Sequence, residues 1–304
     1  AREVLRPAGA LARLDELAEW LAAWQGTERP AVRRPAALVF AADHGVAASG
    51  VSAYPAEVTA AMVKALREGV ATASVLAGQV GATLDVVDVG VGDPTGDLAR
   101  EPALEPVRFR ACVQAGRDAV AALDADLLVL GEMGIGNTTA AAAVTAILLG
   151  RSAEPSTGRG TGVDDAGLAR KRAAVSAARR RVGTAAPMEV LRQAGGAELA
   201  ALAGAALEAR LRRLPLVLDG FVVTAAVAPL DLLRPGALAN AVAGHRSAEP
   251  GHRALLERLG KRPLLELDMR LGEASGALAA VPLLRLAAAA VTEVATFGDW
   301  GLQR

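Results

Sequence analysis

Residues 126–149 read DLLVLGEMGIGNTTAAAAVTAILL, and the order of residue types in this stretch decides the fold. Asp126 to Leu130 is a short apolar run of strand character, Gly131 to Gly136 crowds glycines and one carboxylate into a turn, and Thr138 to Leu149 is Ala-rich and helical in pattern. A strand that feeds a helix through a glycine turn is the unit of a parallel sheet, because the helix must carry the chain back before the next strand can lie alongside. The same rhythm recurs elsewhere. Ala36 to Ala42 precedes Asp43-His44-Gly45, Leu84 to Val91 precedes Gly92-Asp93-Pro94, and Leu214 to Leu218 precedes Asp219-Gly220. The pattern predicts an α/β protein whose parallel sheet is covered by helices on both faces. Ligands bind such sheets beyond the carboxyl ends of the strands, where these turns lie. Toward the chain ends, residues 10–24 place Leu11, Leu14, Leu17, Ala18 and Leu21 at helical spacing, stopped by Gly26 and Pro30. Gly276 to Phe297 reads as a long helix in which Pro282 fits only near the beginning.

The 304 residues carry 33 Lys+Arg against 33 Asp+Glu, and 52% of them are apolar. That length suits about two domains, or one large domain with an appendage. With no net charge and no basic cluster beyond Arg179-Arg180-Arg181, the chain has no electrostatic pull toward nucleic acid or anionic lipid. The longest apolar run, Thr138 to Leu149, falls short of the roughly 20 residues a membrane-spanning helix needs, and Pro282 and Arg285 interrupt the Ala-rich stretch near the C-terminus. No membrane partner is expected. Cys112 is the only cysteine, which excludes an intrachain disulfide and a cysteine zinc cluster and fits a reducing cytoplasm. Ala1-Arg2-Glu3-Val4 shows no secretion-signal pattern, in keeping with a cytoplasmic location.

The turn after the deciding strand, Gly131-Glu132-Met133-Gly134-Ile135-Gly136-Asn137-Thr138-Thr139, has the context in which free backbone N–H groups hold a phosphate. Its spacing nearly matches the nucleotide-triphosphate loop, but Asn137 stands where that loop needs lysine, so triphosphate hydrolysis is excluded. A plain helix start with Asn137 or Thr138 as N-cap would account for the turn, though not for Glu132 among three glycines. A second loop, Gly158-Arg159-Gly160-Thr161-Gly162, is followed by Asp164-Asp165 and Lys171, and reads equally as an anion cradle or as a solvated surface loop. Gly90-Val91-Gly92 with Gly96 lacks the dinucleotide spacing and reads as a turn.

Three histidines are present, His44, His245 and His252. Pro250 and Gly251 would break any helix carrying the last two, so they read as hydrogen-bonded structural histidines rather than metal ligands. The absence of a G-x-S-x-G elbow removes that type of serine hydrolysis. Asp164-Asp165 does not follow a strand, so the acid pair of a phosphoribosyl pyrophosphate site is missing too. Glu273, in Leu271-Gly272-Glu273-Ala274-Ser275-Gly276, either reaches a ligand from the start of the last helix or faces solvent in its first turn. Apolar surroundings would raise its pKa and the helix start would lower it. Glu293, at the far end of that helix, reads as an exposed helix-end charge.

Taken in order, residues 42–46 and 50–55, 131–139, 158–165, 247–252, 271–273 and 292–297 resemble the nicotinate-nucleotide:dimethylbenzimidazole phosphoribosyltransferase family of cobalamin lower-ligand biosynthesis. The resemblance runs over nearly the whole chain. It implies a Rossmann-like three-layer parallel sheet in a large domain of residues 31–262, a small helical domain formed by both chain ends (1–30 plus 263–304), and a homodimer. It implies transfer of the 5-phosphoribosyl group from nicotinate mononucleotide to 5,6-dimethylbenzimidazole, giving α-ribazole 5′-phosphate and nicotinate, with no cofactor and no metal. Glu273 would be the general base and Glu132 the second active-site carboxylate, facing the ribose. Gly134, Gly160, Thr161, Gly162, Lys171 and Ser247 would hold the 5′-phosphate, with Gly136 and Asn137 in the same turn as Gly134. Ser52, Tyr54, Ala60 and Leu271 would wall the benzimidazole. The family pattern has glutamine where Ala60 stands and glycine where Ala274 stands, which leaves the base preference open. A non-catalytic nucleotide-binding module, or a transferase for another azole, purine or phenolic base, would use the same loops.

Overall fold

A computed structural model describes residues 4–302. In chain order the regular elements are α1 (Arg13–Gln25), β1 (Pro35–Ala42), α2 (Val58–Arg67), α3 (Thr72–Gln79), β2 (Thr83–Gly90), α4 (Pro106–Ala121), β3 (Leu127–Met133) and α5 (Asn137–Leu148). They continue with α6 (Asp165–Val182), α7 (Pro187–Ala194), α8 (Ala197–Leu211), β4 (Leu216–Leu218), α9 (Phe221–Leu233), β5 (Ala241–Ala243), α10 (Pro250–Arg258) and α11 (Ser275–Thr292). The five strands form one sheet in the order β2-β1-β3-β4-β5, and every neighbouring pair is parallel. The order reverses between β1 and β3, so the connections leaving them depart to opposite sides and open a crevice at their carboxyl ends.

Period-2 alternation splits the two central strands between two cores. Leu38 and Phe40 of β1 and Leu128 and Leu130 of β3 face the alanines of α5, with α8 and α9 behind them. Ala37 and Val39, with Leu127 and Val129, face Leu17 and Leu21 of α1 and Leu278, Val281 and Leu284 of α11. Both faces being covered, the central strands are almost wholly apolar, whereas edge strand β2 leaves Asp85 and Asp88 exposed. The two chain ends meet on the α1/α11 side, where Val4 bridges Thr296 and the Leu5 N–H donates to the Ala295 carbonyl at 2.8 Å.

The helical pattern at residues 10–24 becomes α1, closed by Gly26 at φ 65° with its N–H on the Ala22 carbonyl. Two features differ from expectation. Strand β5 is only Ala241–Ala243, too short to carry a periodic signal, and exists through its pairing with β4. Pro282 lies well inside α11 rather than near its beginning, and the helix ends at Thr292 instead of Phe297. The helix passes through the missing N–H because Leu278, Val281 and Leu284 on either side are locked in the core. By length and composition α11 is apolar enough to cross a bilayer, but half of it is buried against the sheet, α1 and α3, as a core helix is.

Candidate active site

The carboxyl ends of β1, β3, β4 and β5 bring His44, Glu132, Asp219 and His245 to the same end of the sheet, where Glu132 lines a cleft and His44 and Asp219 lie buried beneath it. This cleft is lined by Glu132, Gly134, Asn137, Gly160, Thr161, Ser247 and Leu271 among others. A smaller adjoining cavity brings in Ser52, Gly136 and Lys171. Residues more than a hundred positions apart in sequence thus line two adjoining cavities.

One side of the cleft is suited to an anion. The chain enters α5 through Gly136 at φ 97°, a left-handed conformation that favours glycine. Neither Asn137 nor Thr138 acts as a simple N-cap. The Asn137 side-chain amide donates to Glu132 Oε2, while the Thr138 hydroxyl accepts from Lys171 Nζ at 2.7 Å. Lys171 is 1% exposed, and burial pushes its pKa down while the Glu249 carboxylate opposes the shift. The Ser247 N–H donates to His252 Nδ1 at 2.9 Å and its hydroxyl accepts from the Glu249 N–H. In the second glycine loop Thr161 and Gly162 are exposed, but the Gly160 N–H donates to Glu249 Oε1 at 2.7 Å. That amide already holds a carboxylate of the protein itself. Arg270 closes over the loop with its Nη1 on the Gly160 carbonyl at 2.9 Å.

The other side is carboxylate-rich and dry. Glu132 is 8% exposed and Glu273 4% exposed, so the solvent-facing reading of Glu273 does not hold. The Glu273 N–H donates to the Glu132 carbonyl at 3.1 Å, which ties the two acids together through the backbone. Gly272, Glu273 and Ala274 are all left-handed, at φ 88°, 60° and 71°. The turn fits because Gly131 has no side chain: a Cβ there would lie 2.2 Å from the Ala274 nitrogen and 2.6 Å from its Cβ. Burial holds the Glu132 carboxyl well above the usual carboxylate range, reinforced by the charges of Asp219, Glu198 and Glu273 and opposed by Asn137. Burial also raises Glu273, with Asp219 adding to the shift. Between the opposing tendencies read from sequence, desolvation prevails over the helix start.

The apolar wall is the most open part. Leu271 lines the cleft and is 48% exposed, Ser52 is half-buried in the smaller cavity, and Tyr54 (52% exposed) and Ala60 lie outside both, as does Gly162. On α2 it is Thr59 that touches the glycine turn, its hydroxyl accepting the Ile135 N–H at 3.2 Å. His252 is a hydrogen-bonded structural residue as expected: with the Thr224 hydroxyl 2.9 Å from Nε2, burial lowers its pKa to about 3 and keeps the ring neutral. His44 is buried against Glu198, Nε2 to Oε1 at 2.6 Å, directly under Gly134. Glu293 is exposed, as its helix-end position implied.

Sequence reasoning passed over Asp219, Glu249, Arg270, Thr59 and Glu198. Asp219 carried a usable signal, since it stands between an apolar run and a glycine, and Glu132 likewise lies in a glycine-bearing turn after an apolar run. Glu198, inside an Ala/Leu-rich helix, carried none.

The chain matches the phosphoribosyltransferase family model over residues 1–302. A nicotinate-nucleotide–dimethylbenzimidazole phosphoribosyltransferase from Cereibacter sphaeroides is 50% identical over 302 residues, covering 99% of this chain and 89% of that protein. A protein of the same name from Mesorhizobium japonicum is 51% identical over 299 residues, covering 98% of this chain and 89% of the relative. Among solved structures, CobT from Thermus thermophilus matches with a TM-score of 0.94 at 47% identity, over 99% of this chain and 96% of that one.

Proposed function

We propose how this chain, which belongs to the nicotinate-nucleotide:dimethylbenzimidazole phosphoribosyltransferase family, divides its reaction between the two sides of the cleft. The reaction is transfer of the 5-phosphoribosyl group of nicotinate mononucleotide to 5,6-dimethylbenzimidazole, giving α-ribazole 5′-phosphate and nicotinate. The bond from C1′ to the pyridinium nitrogen breaks with its electron pair passing to the ring, which neutralises the ring, so departure needs no general acid. A benzimidazole nitrogen forms the new bond to C1′ from the opposite face, inverting the sugar from β to α. The other ring nitrogen must then lose its proton.

In this reading Glu273 takes that proton. The observation that carries it is an acceptor left free: Glu273 Oε2 is buried and has no hydrogen-bond partner among the described residues, beside cleft-lining Leu271 and Gly272. A raised pKa makes the carboxylate a better proton acceptor than an ordinary glutamate. Glu132, with Asn137 fixing one oxygen, faces the ribose hydroxyls and the positive charge that develops at C1′. Lys171, the Ser247 hydroxyl, the Gly134 amide and the Thr161–Gly162 backbone hold the 5′-phosphate, with lysine supplying the point charge. Gly160 joins them once Glu249 gives up its amide. Leu271 and Ser52, with Tyr54 and Ala60, wall the benzimidazole.

We place the enzyme in the cytoplasm as a homodimer, with the small domain of residues 1–30 plus 263–304 beside the large domain of residues 31–262. The exposure of Tyr54, Ala60 and Leu271 in a single chain supports the homodimer, since a slot for a flat apolar ring needs a cover that a second copy can supply. The test of the base is Glu273→Gln, which keeps the shape and removes the proton acceptor. Nicotinate release with dimethylbenzimidazole should slow by about 10²- to 10⁴-fold, with KM for nicotinate mononucleotide little changed. Parental turnover in this variant would remove Glu273 from the mechanism.

A further inference from the structure

We infer that Asp219 and His245, at the ends of β4 and β5, form a positioning pair that clamps the first turn of α11 and thereby fixes where Glu273 presents its carboxylate. The inference rests on Glu273 being the base and adds what holds it in place. Helix α11 begins without a cap of its own: Ala274 occupies the N-cap position in a left-handed conformation and offers no side-chain hydrogen bond. The first N–H groups of a helix have no partner within it. Here the partner comes from another strand, since Asp219 Oδ1 accepts the Ala277 N–H at 2.9 Å, and the Gly276 and Gly220 N–H groups also face that carboxylate.

His245 stands on the same carboxylate with Nε2 3.6 Å from Asp219 Oδ1, and both side chains are fully enclosed. The fit leaves no slack. A Cβ on Gly276 would lie 2.0 Å from His245 Cδ2, and one on Gly244 would lie 2.7 Å from Ala277 Cα. Glu273 is three residues before Gly276, within three successive left-handed residues. Such a run persists only where the surroundings over-determine it. Asp219 and His245, bearing on the turn from one side, and the Glu132 carbonyl, holding the Glu273 N–H from the other, are what over-determine it.

The pair also sets the charge that Glu273 feels. Burial raises Asp219, while His245 and the three backbone N–H groups oppose the shift. Around it stand Glu132 from β3, Glu273 ahead of α11 and His245 after β5, with Glu198 of α8 beyond Glu132 and the neutral His252 ring 6.3 Å from that of His245. Negative charge on Asp219 raises Glu273, so removing that charge makes Glu273 a weaker base that ionises at lower pH.

Two substitutions separate holding from charge. Asp219→Asn keeps an acceptor for the Ala277 N–H and deletes the charge, so the acid limb of the kcat profile should move to lower pH. Asp219→Ala deletes the acceptor. Its kcat should fall about tenfold or more, with KM for nicotinate mononucleotide within about threefold of the parent. Amide hydrogen exchange across residues 275–278 should quicken in parallel. An Asp219→Ala enzyme with parental kcat, or with parental exchange over those residues, would overturn the clamp. An unmoved acid limb in Asp219→Asn would overturn the coupling even if Asp219→Ala failed to fold. Glu273→Gln is assayed alongside. If it is inactive while both Asp219 variants behave as the parent, this inference alone falls, and if it is fully active the base assignment falls and takes the inference with it.

Discussion

The loop at residues 158–162 and the turn at residues 271–276 both reach the cleft on glycine, but the loop leaves Thr161 and Gly162 toward solvent while the turn is shut between strand ends from Glu273 onward. The loop works through backbone amides and a neighbouring lysine; the turn works through a carboxylate whose surroundings are carboxylates. The contrast follows from what each must handle. A phosphate arrives hydrated and keeps its charge throughout, so its site needs donors and a cation but little desolvation. A base must change protonation state during the reaction, so its site must be dry enough for burial and neighbouring charge to set its pKa.

Lys171→Ala tests this contrast hardest. Removing a charge-assisted bond to phosphate, worth about 1.5–3 kcal/mol, should raise KM for nicotinate mononucleotide by roughly 10- to 100-fold with kcat much less affected. A loss confined to kcat would mean the lysine serves the chemistry, and the two sides would no longer be distinct. Glu132→Gln sharpens the contrast from the dry side. The folded protein holds the Glu132 carboxyl above its ordinary value of 4.5, so it favours the protonated form. That contribution to stability is complete below the unfolded pKa and is lost as pH rises through the folded one. Glutamine stays neutral at every pH, so the variant should gain on the order of 1 kcal/mol at neutral pH, a rise in Tm of roughly 2 °C, while turnover falls. At pH 4 the gain should vanish, and scanning calorimetry at the two pH values decides it. The smallest effect is expected from Ala274→Gly. Relief of the left-handed backbone offsets the lost methyl contact and the added freedom of the unfolded chain, leaving stability within about 1 kcal/mol of the parent in urea titration.

How much of this was legible in the sequence depends on how local each cause is. Strands β1 and β3 showed themselves because both are long apolar runs ending at glycine turns, and Glu132 because a carboxylate among glycines is a local oddity. Strand β5 was hidden, since three residues carry no period. Pro282 misled for a related reason: the rule against proline in a helix interior is local, and core contacts on both sides override it. The environment of Glu273 was the least legible. Its burial depends on Asp219, Gly131 and Glu132, which local pattern leaves unconnected to it. Glu249 reaches the Gly160 amide across 89 positions. For Glu273 the family resemblance implied a role and for Glu249 and Asp219 it implied none, so the surroundings of all three became visible only in three-dimensional packing.

The meeting of Gly131 with Ala274 has a consequence for how this enzyme can diverge. The strand and the turn meet backbone against backbone, so a Cβ at 131 would lie 2.2 Å from the Ala274 nitrogen and 2.7 Å from its Cα as well as against its methyl. The two sites are therefore unequal: a lineage may trim position 274 to glycine on its own, but position 131 stays glycine for as long as the turn keeps its place, because a side chain there would strike the backbone of residue 274 whatever that residue carries.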